Sequence, residues 1–126
     1  MVVIKIDGTD DTPSVILDKD ENNFQFSGRS LPEDAGKFYI PIMTWLKEYC
    51  ANPNEKTIFN FKLTYFNTSS SKMILDILLK LEELKEKNKE VAVKWFYPEE
   101  DEDMQEAGIE YADIVNVPFE QIPYHS

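Results

Sequence analysis

Between an alternating apolar segment and a long amphipathic one, the chain reads Tyr65-Phe-Asn-Thr-Ser-Ser-Ser-Lys-Met73, with hydroxyl side chains in succession at Thr68, Ser69, Ser70 and Ser71. Such a junction supports two kinds of chemistry. One is local: the first N–H groups of a helix lack intrahelical acceptors, and an Asn, Ser or Thr oxygen accepts from one of them. Asn67 or any of the hydroxyl residues fits that role, but a cap explains one residue well and a run of four poorly. The other is covalent. Helix N-termini favour anions through free N–H groups and local positive potential, so a phosphate attached here is stabilised by the helix itself. It would add roughly −1.5 to −2 charges and three strong acceptor oxygens, with Lys72 close enough in sequence to help neutralise it.

Other reactive residue types offer less. His125, the only histidine, stands one residue from the C-terminus, where fraying is common. A thiolate at Cys50 would need a nearby base or positive charge, and its place at the end of an apolar helical stripe reads as packing. The acidic block Glu99-Glu-Asp-Glu-Asp103 lacks the Asp/Asn alternation and central glycine of a calcium loop; it reads as a solvated surface leading into an acidic first helical turn. No Gly-rich loop with a phosphate-binding lysine is present. A noncatalytic protein with no metal and no cofactor is therefore expected. Arg29 has donor geometry suited to a carboxylate or a phosphate, and a structural ion pair is the favoured reading. Asp76, two helical turns beyond Thr68, reads as an outer-face acid, with positioning of a partner's basic group as the alternative.

Charge narrows the partners. The 126 residues carry 24 acids against 13 bases, a formal net charge of −11, and 12 of the bases are lysine. Such a field repels nucleic acid and anionic membranes and favours a partner with a basic surface. The lone cysteine rules out an intrachain disulfide framework and fits a reducing compartment. No run approaches the roughly 20 apolar residues that cross a bilayer. The N-terminus lacks the order of a signal peptide, so a cytoplasmic address is expected.

The elements that must position the hydroxyl run follow from periodicity. Val15–Leu17 and Phe24–Phe26 read as strands joined by a polar turn. Ser30-Leu-Pro-Glu33 has capping-box spacing, so a helix is expected from there to about Tyr49, with Pro41 forcing either a kink or a main helix that starts at Pro41. Thr57–Phe66 is the clearest strand, with Phe59, Phe61, Leu63 and Tyr65 expected on one face. Ile74, Ile77, Leu78, Leu81 and Leu84 fall at helical spacing through about Asn88, with Asp76–Lys80 and Glu83–Lys87 as favourably ordered pairs. Val91–Tyr97 is another strand. A short helix to about Gly108 and a last strand over Val115–Phe119 follow, the latter held to an edge or terminated by Pro118. Trp45 and Trp95 read as core aromatics. The order β-β-α-β-α-β-α-β predicts a single α/β domain over 1–126, a mixed sheet with helices packed against it.

Three separated segments carry a resemblance: the junction Phe66-Asn-Thr-Ser-Ser-Ser-Lys72 with the helix Met73–Leu79; Phe26-Ser-Gly-Arg-Ser-Leu-Pro-Glu-Asp-Ala35 followed by Phe38-Tyr39, Pro41 and Trp45-Leu46; and Glu106-Ala-Gly-Ile-Glu-Tyr-Ala112. Together they resemble the SiaC family of bacterial regulatory phosphoproteins over nearly the whole chain. The resemblance implies a fold like the STAS domains of anti-sigma-factor antagonists, and a switch rather than an enzyme. It implies that a dedicated protein kinase phosphorylates a threonine of the NTSS motif and a PP2C-type phosphatase removes the phosphate. It further implies that the unphosphorylated form binds and activates a diguanylate cyclase, promoting cyclic-di-GMP signalling and biofilm formation. The modified residue would be Thr68, with Ser69 the runner-up, and Asn67, Thr68, Ser69, Ser70, Lys72 and Asp76 would form the partner-binding surface. The alternative is a STAS-like antagonist in a partner-switching cascade that controls transcription.

Overall fold

The computed structural model describes residues 1–125 of the chain. Six strands form one sheet in the spatial order of the sequence: β1 (Ile4–Ile6), β2 (Ser14–Asp18), β3 (Asn23–Ser30), β4 (Lys56–Phe66), β5 (Glu90–Pro98) and β6 (Phe119–Tyr124). The first two pairings are antiparallel and the last three parallel. Each parallel step needs a crossover, and helices supply all three: α1 (Ala35–Ala51), α2 (Thr68–Glu86) and α3 (Glu102–Ile114). Because the order advances one strand at a time, crossovers of the usual right hand place every helix on the same face. That face holds the core, with Phe24, Phe26, Phe59, Phe61, Val93 and Trp95 fully buried beneath Tyr39, Ile42, Ile77 and Leu81. The alternate residues of β4 lie on the other face, where Ile58 and Asn60 are half-buried and Lys62 and Thr64 exposed.

The expected mixed sheet with packed helices is present, and five local differences have physical causes. First, an additional strand, β1, pairs Ile4 with Leu17, and the Trp45 indole donates to the Val2 carbonyl at 2.6 Å to tie the segment down. Second, α1 starts at Ala35 instead of at a Ser30–Glu33 capping box: the Asp34 carboxylate accepts from the Lys37 N–H at 3.0 Å, which makes Asp34 the cap. The helix continues through Pro41 to Ala51, and Pro41 is exposed, so water can serve the carbonyl left without its usual donor. Third, α3 does not stop at Gly108. That glycine is buried inside the helix because a Cβ there would collide with Trp95 and Gln121; it marks close packing, not an end. Fourth, the last strand begins after Pro118. Val115 caps α3, and Val115 and Val117 enter the core from the loop.

The fifth difference shapes the site. The register of β3 against β4 shifts between Gly28 and Arg29, so Gly28 pairs with Leu63 but Arg29 with Tyr65. Gly28 takes φ 91° at this bulge, a conformation that a side chain resists. The extra residue inverts the alternation of β4. Tyr65, expected beside Leu63 on the core side, is turned outward and 46% exposed, while Phe66 turns in toward Trp95 and Tyr111.

Candidate functional site

Since β3, β4 and β5 run parallel, the three helices that follow them all begin along one edge of the sheet. In open α/β sheets, the carboxyl ends of the strands are where ligands usually sit. The hydroxyl run lies at the centre of this edge, and the structure gives each of its members a different task.

Asn67 is the cap: its side-chain oxygen accepts from the Ser70 N–H at 2.9 Å, and its carbonyl accepts from the Ser71 N–H at 2.9 Å. Ser70 points inward and is fully buried. Ser30 donates to Ser70 Oγ at 2.8 Å and, having only one proton, accepts from Tyr39 at 2.6 Å. Burial pushes the Tyr39 phenol above its ordinary pKa, with the two serine contacts acting in the opposite direction. This buried hydroxyl chain joins the end of β3, the first turns of α1 and the start of α2. Ser71 donates back to the Thr68 carbonyl at 2.7 Å, and its own carbonyl accepts from Tyr111 at 2.8 Å. Burial likewise raises the Tyr111 phenol well above the ordinary range. Thus α3 is tied to the same helical turn.

Thr68 and Ser69 remain. Both are exposed, and among the described residues neither side-chain oxygen has a hydrogen-bond partner. They occupy the first two positions of α2, where backbone N–H groups have no intrahelical acceptor. Ser69 faces a groove between the starts of α1 and α2, lined also by Glu33, Asp34, Lys37, Phe38, Lys72 and Met73. On the other side, a second groove between β4 and α3 is lined by Tyr65, Phe66, Asp101, Asp103, Met104 and Ala107.

Of the residues expected to meet a partner, the structure brings Asn67, Thr68, Ser69 and Lys72 together at this edge. Asp76 is exposed two turns along α2. Ser70 is withdrawn: its hydroxyl is spent inside, where it supports the site from beneath. Glu33 is exposed on the rim of the first groove and Ser30 is buried in the hydroxyl chain, so neither caps α1. Arg29 has no ion pair among the described residues; its Nε donates to the Asp10 carbonyl at 3.1 Å and its guanidinium lies 5.4 Å from the Tyr65 ring centroid. On α2, Lys80 pairs with Glu83 at 3.0 Å instead of with Asp76, and Lys87 donates to the Cys50 carbonyl instead of to Glu83. Sequence reading missed Tyr39, Tyr111 and the outward Tyr65. The distance between Ser30 and Ser70 in the chain hides the first, and a register shift hides the last.

The remaining candidates stay as packing or surface. Cys50 is buried, and desolvation pushes its thiol up. His125 is exposed and 2.8 Å from Glu99. The acidic block supplies Asp101 as the cap of α3 and Glu102 and Asp103 as its first turn. Among the described residues, no group of three or more His, Cys, Asp or Glu is arranged to hold a metal ion, and no helix is long and apolar enough to cross a membrane.

The fold has counterparts among known proteins. A protein of Pseudomonas aeruginosa (strain UCBPP-PA14) whose role is uncharacterized is 28% identical over 116 residues, covering 92% of each chain. The crystal structure of apo-SiaC from Pseudomonas aeruginosa superposes with a TM-score of 0.88 at 27% identity, covering 97% of this chain and 99% of that one. In a second structure, SiaC is bound as activator to the diguanylate cyclase SiaD of Pseudomonas aeruginosa; its SiaC-like chain matches with a TM-score of 0.90 at 27% identity, over 96% of this chain and 99% of that one. Residues 6–124 match the family described as SiaC family regulatory phosphoprotein, and the chain belongs to that family.

Proposed function

We propose that this protein is a noncatalytic partner switch whose unphosphorylated form binds and activates a diguanylate cyclase, and whose phosphorylation at Thr68 blocks that binding. The observation that carries the reading is the exposed, unpartnered Thr68 hydroxyl at the first position of α2, in a chain whose relative activates such a cyclase. Ser69, also exposed, is the runner-up acceptor. A protein kinase would add the phosphate and a PP2C-type phosphatase would remove it, in the cytoplasm, with the whole chain acting as one regulatory domain.

The physics of the switch is selective desolvation. Neutral hydroxyls at the edge permit close approach by another protein. A phosphate there adds roughly −1.5 to −2 charges, and burying it without matching donors is costly. A cyclase surface shaped for the neutral edge is expelled. A phosphatase with bound metal ions and complementary donors accepts the same group. No large change of fold is required.

Because Asn67 caps α2, Thr68→Ala removes the acceptor without removing the cap. The expected result is a protein that resists phosphorylation at this position and still binds and activates the cyclase. Co-purification from the host separates this reading from a transcriptional one: recovery of a diguanylate cyclase supports it, while recovery of a sigma-factor-binding protein in its place supports an antagonist of the anti-sigma class.

A further inference from the structure

The bulge that turns Tyr65 outward brings the only arginine in the chain to the same rim. Arg29 is the register partner of Tyr65, and its Cζ lies 5.4 Å from the centre of that ring. Its Nε is held by the Asp10 carbonyl at 3.1 Å, and among the described residues no carboxylate engages the rest of the guanidinium. Backbone pairing carries this rim to the start of α2. Ser30 pairs with Phe66, and the Asn67 N–H donates to the Ser30 carbonyl at 3.0 Å. Arg29 and Thr68 each stand one residue from that hydrogen bond.

We propose that Arg29 is the internal receptor for a phosphate on Thr68, and that modification draws its guanidinium off the Tyr65 ring. The inference rests on the switch described above and adds how the signal is read within the chain. An exposed cation–π contact is weak. A guanidinium facing a phosphate forms two parallel charge-assisted hydrogen bonds, a much stronger arrangement. The phosphate therefore wins the competition for Arg29. Lys72 and Lys37 also stand near the α2 start, but they line the groove on the α1 side with Ser69, and an ammonium lacks the planar fork. Arginine and tyrosine are the residue types enriched where interfaces gain most of their energy. Phosphorylation thus does two things: it adds charge, and it dismantles an exposed Arg29–Tyr65 docking element.

The test uses the full chain with phosphothreonine installed at position 68 during translation, so that no kinase is needed. In the unmodified protein, the Arg29 side-chain CH2 protons should show an upfield ring-current shift from Tyr65 in NMR spectra. That shift should be lost on phosphorylation, and the Arg29 Nε–H resonance should move. The 31P resonance of the phosphothreonine, read at a pH where the dianion dominates, should differ between the parent and Arg29→Gln and change less with Lys72→Ala. Arg29 resonances that keep their shifts after phosphorylation would overturn the proposal, as would a 31P resonance indifferent to Arg29→Gln. The ring-current comparison needs no variant, so it stands even if Arg29→Gln misfolds. Cyclase binding by the same phosphorylated protein is scored separately: undiminished binding refutes the switch, whereas lost binding with an unmoved Arg29 refutes only the present inference.

Discussion

Ser70 and Thr68 lie two positions apart in one helical turn, yet they face opposite environments and should answer substitution differently. Ser70 is sealed in a chain of hydroxyls with Ser30 and Tyr39. Ser70→Ala leaves the buried Ser30 hydroxyl without its acceptor, and Tyr39→Phe removes the donor above it. Each should lower unfolding free energy by about 1–3 kcal/mol in urea titrations. Thr68→Ala, at an exposed position without a hydrogen bond, should change stability by no more than about 0.5 kcal/mol in the same measurement. The buried phenols also set a pH dependence. Tyr39, Tyr49 and Tyr111 all have pKa values raised by desolvation, so above the ordinary phenol value of about 10 the unfolded chain releases protons that the folded chain retains. Their contribution is fully present below that value and is lost progressively as pH rises from it through the raised values of the folded state. Denaturant midpoints should fall on the alkaline side, with Cys50 acting in the same direction from its lower starting pKa; a midpoint that rises there contradicts the assignment.

At the scale of elements, two glycines set the geometry of the site. Gly28, at φ 91°, lets β3 make the register shift that exposes Tyr65. Gly28→Ala should destabilise by about 1 kcal/mol, the order expected when a side chain is forced into this region, and should weaken cyclase binding if Tyr65 is displaced. Gly108 lets α3 lie directly on Trp95. Gly108→Ala overpacks that contact and should cost about 1–3 kcal/mol, read from thermal or urea unfolding, with the Tyr111–Ser71 link to α2 loosened as α3 moves. These two positions also explain what was legible in the sequence. Strong periodicity located β2 to β5 and the long helices, and an alternating strand before a hydroxyl-rich junction located the candidate site. Periodicity could not reveal the bulge, because a one-residue register shift depends on the neighbouring strand; Tyr65 was therefore expected on the wrong face. Gly108 reads as a helix stop when its neighbour Trp95 is unseen. The three-residue β1 depends on pairing with β2 and on the Trp45 indole, neither of which leaves a local pattern. The Ser30–Glu33 spacing suited a capping box, but Ser30 was claimed by a partner 40 residues away.

For the whole molecule, the net charge of −11 sets the long-range field that a partner meets on approach. If a basic surface on the cyclase is steered by this field, the association rate should fall steeply as salt rises, while dissociation changes little; stopped-flow mixing across ionic strengths checks this. Under the proposed switch, a phosphate at Thr68 would add to a field that is already strongly negative, so its discriminating effect would come from the contact itself, where a desolvated charge needs matched donors. The most direct test is a calorimetric titration of the purified diguanylate cyclase with the unmodified protein and with the protein carrying phosphothreonine at position 68. The predicted result is binding by the unmodified form and affinity weaker by at least about tenfold, or about 1.4 kcal/mol, for the phosphorylated form. Equal affinity for the two forms would contradict the account.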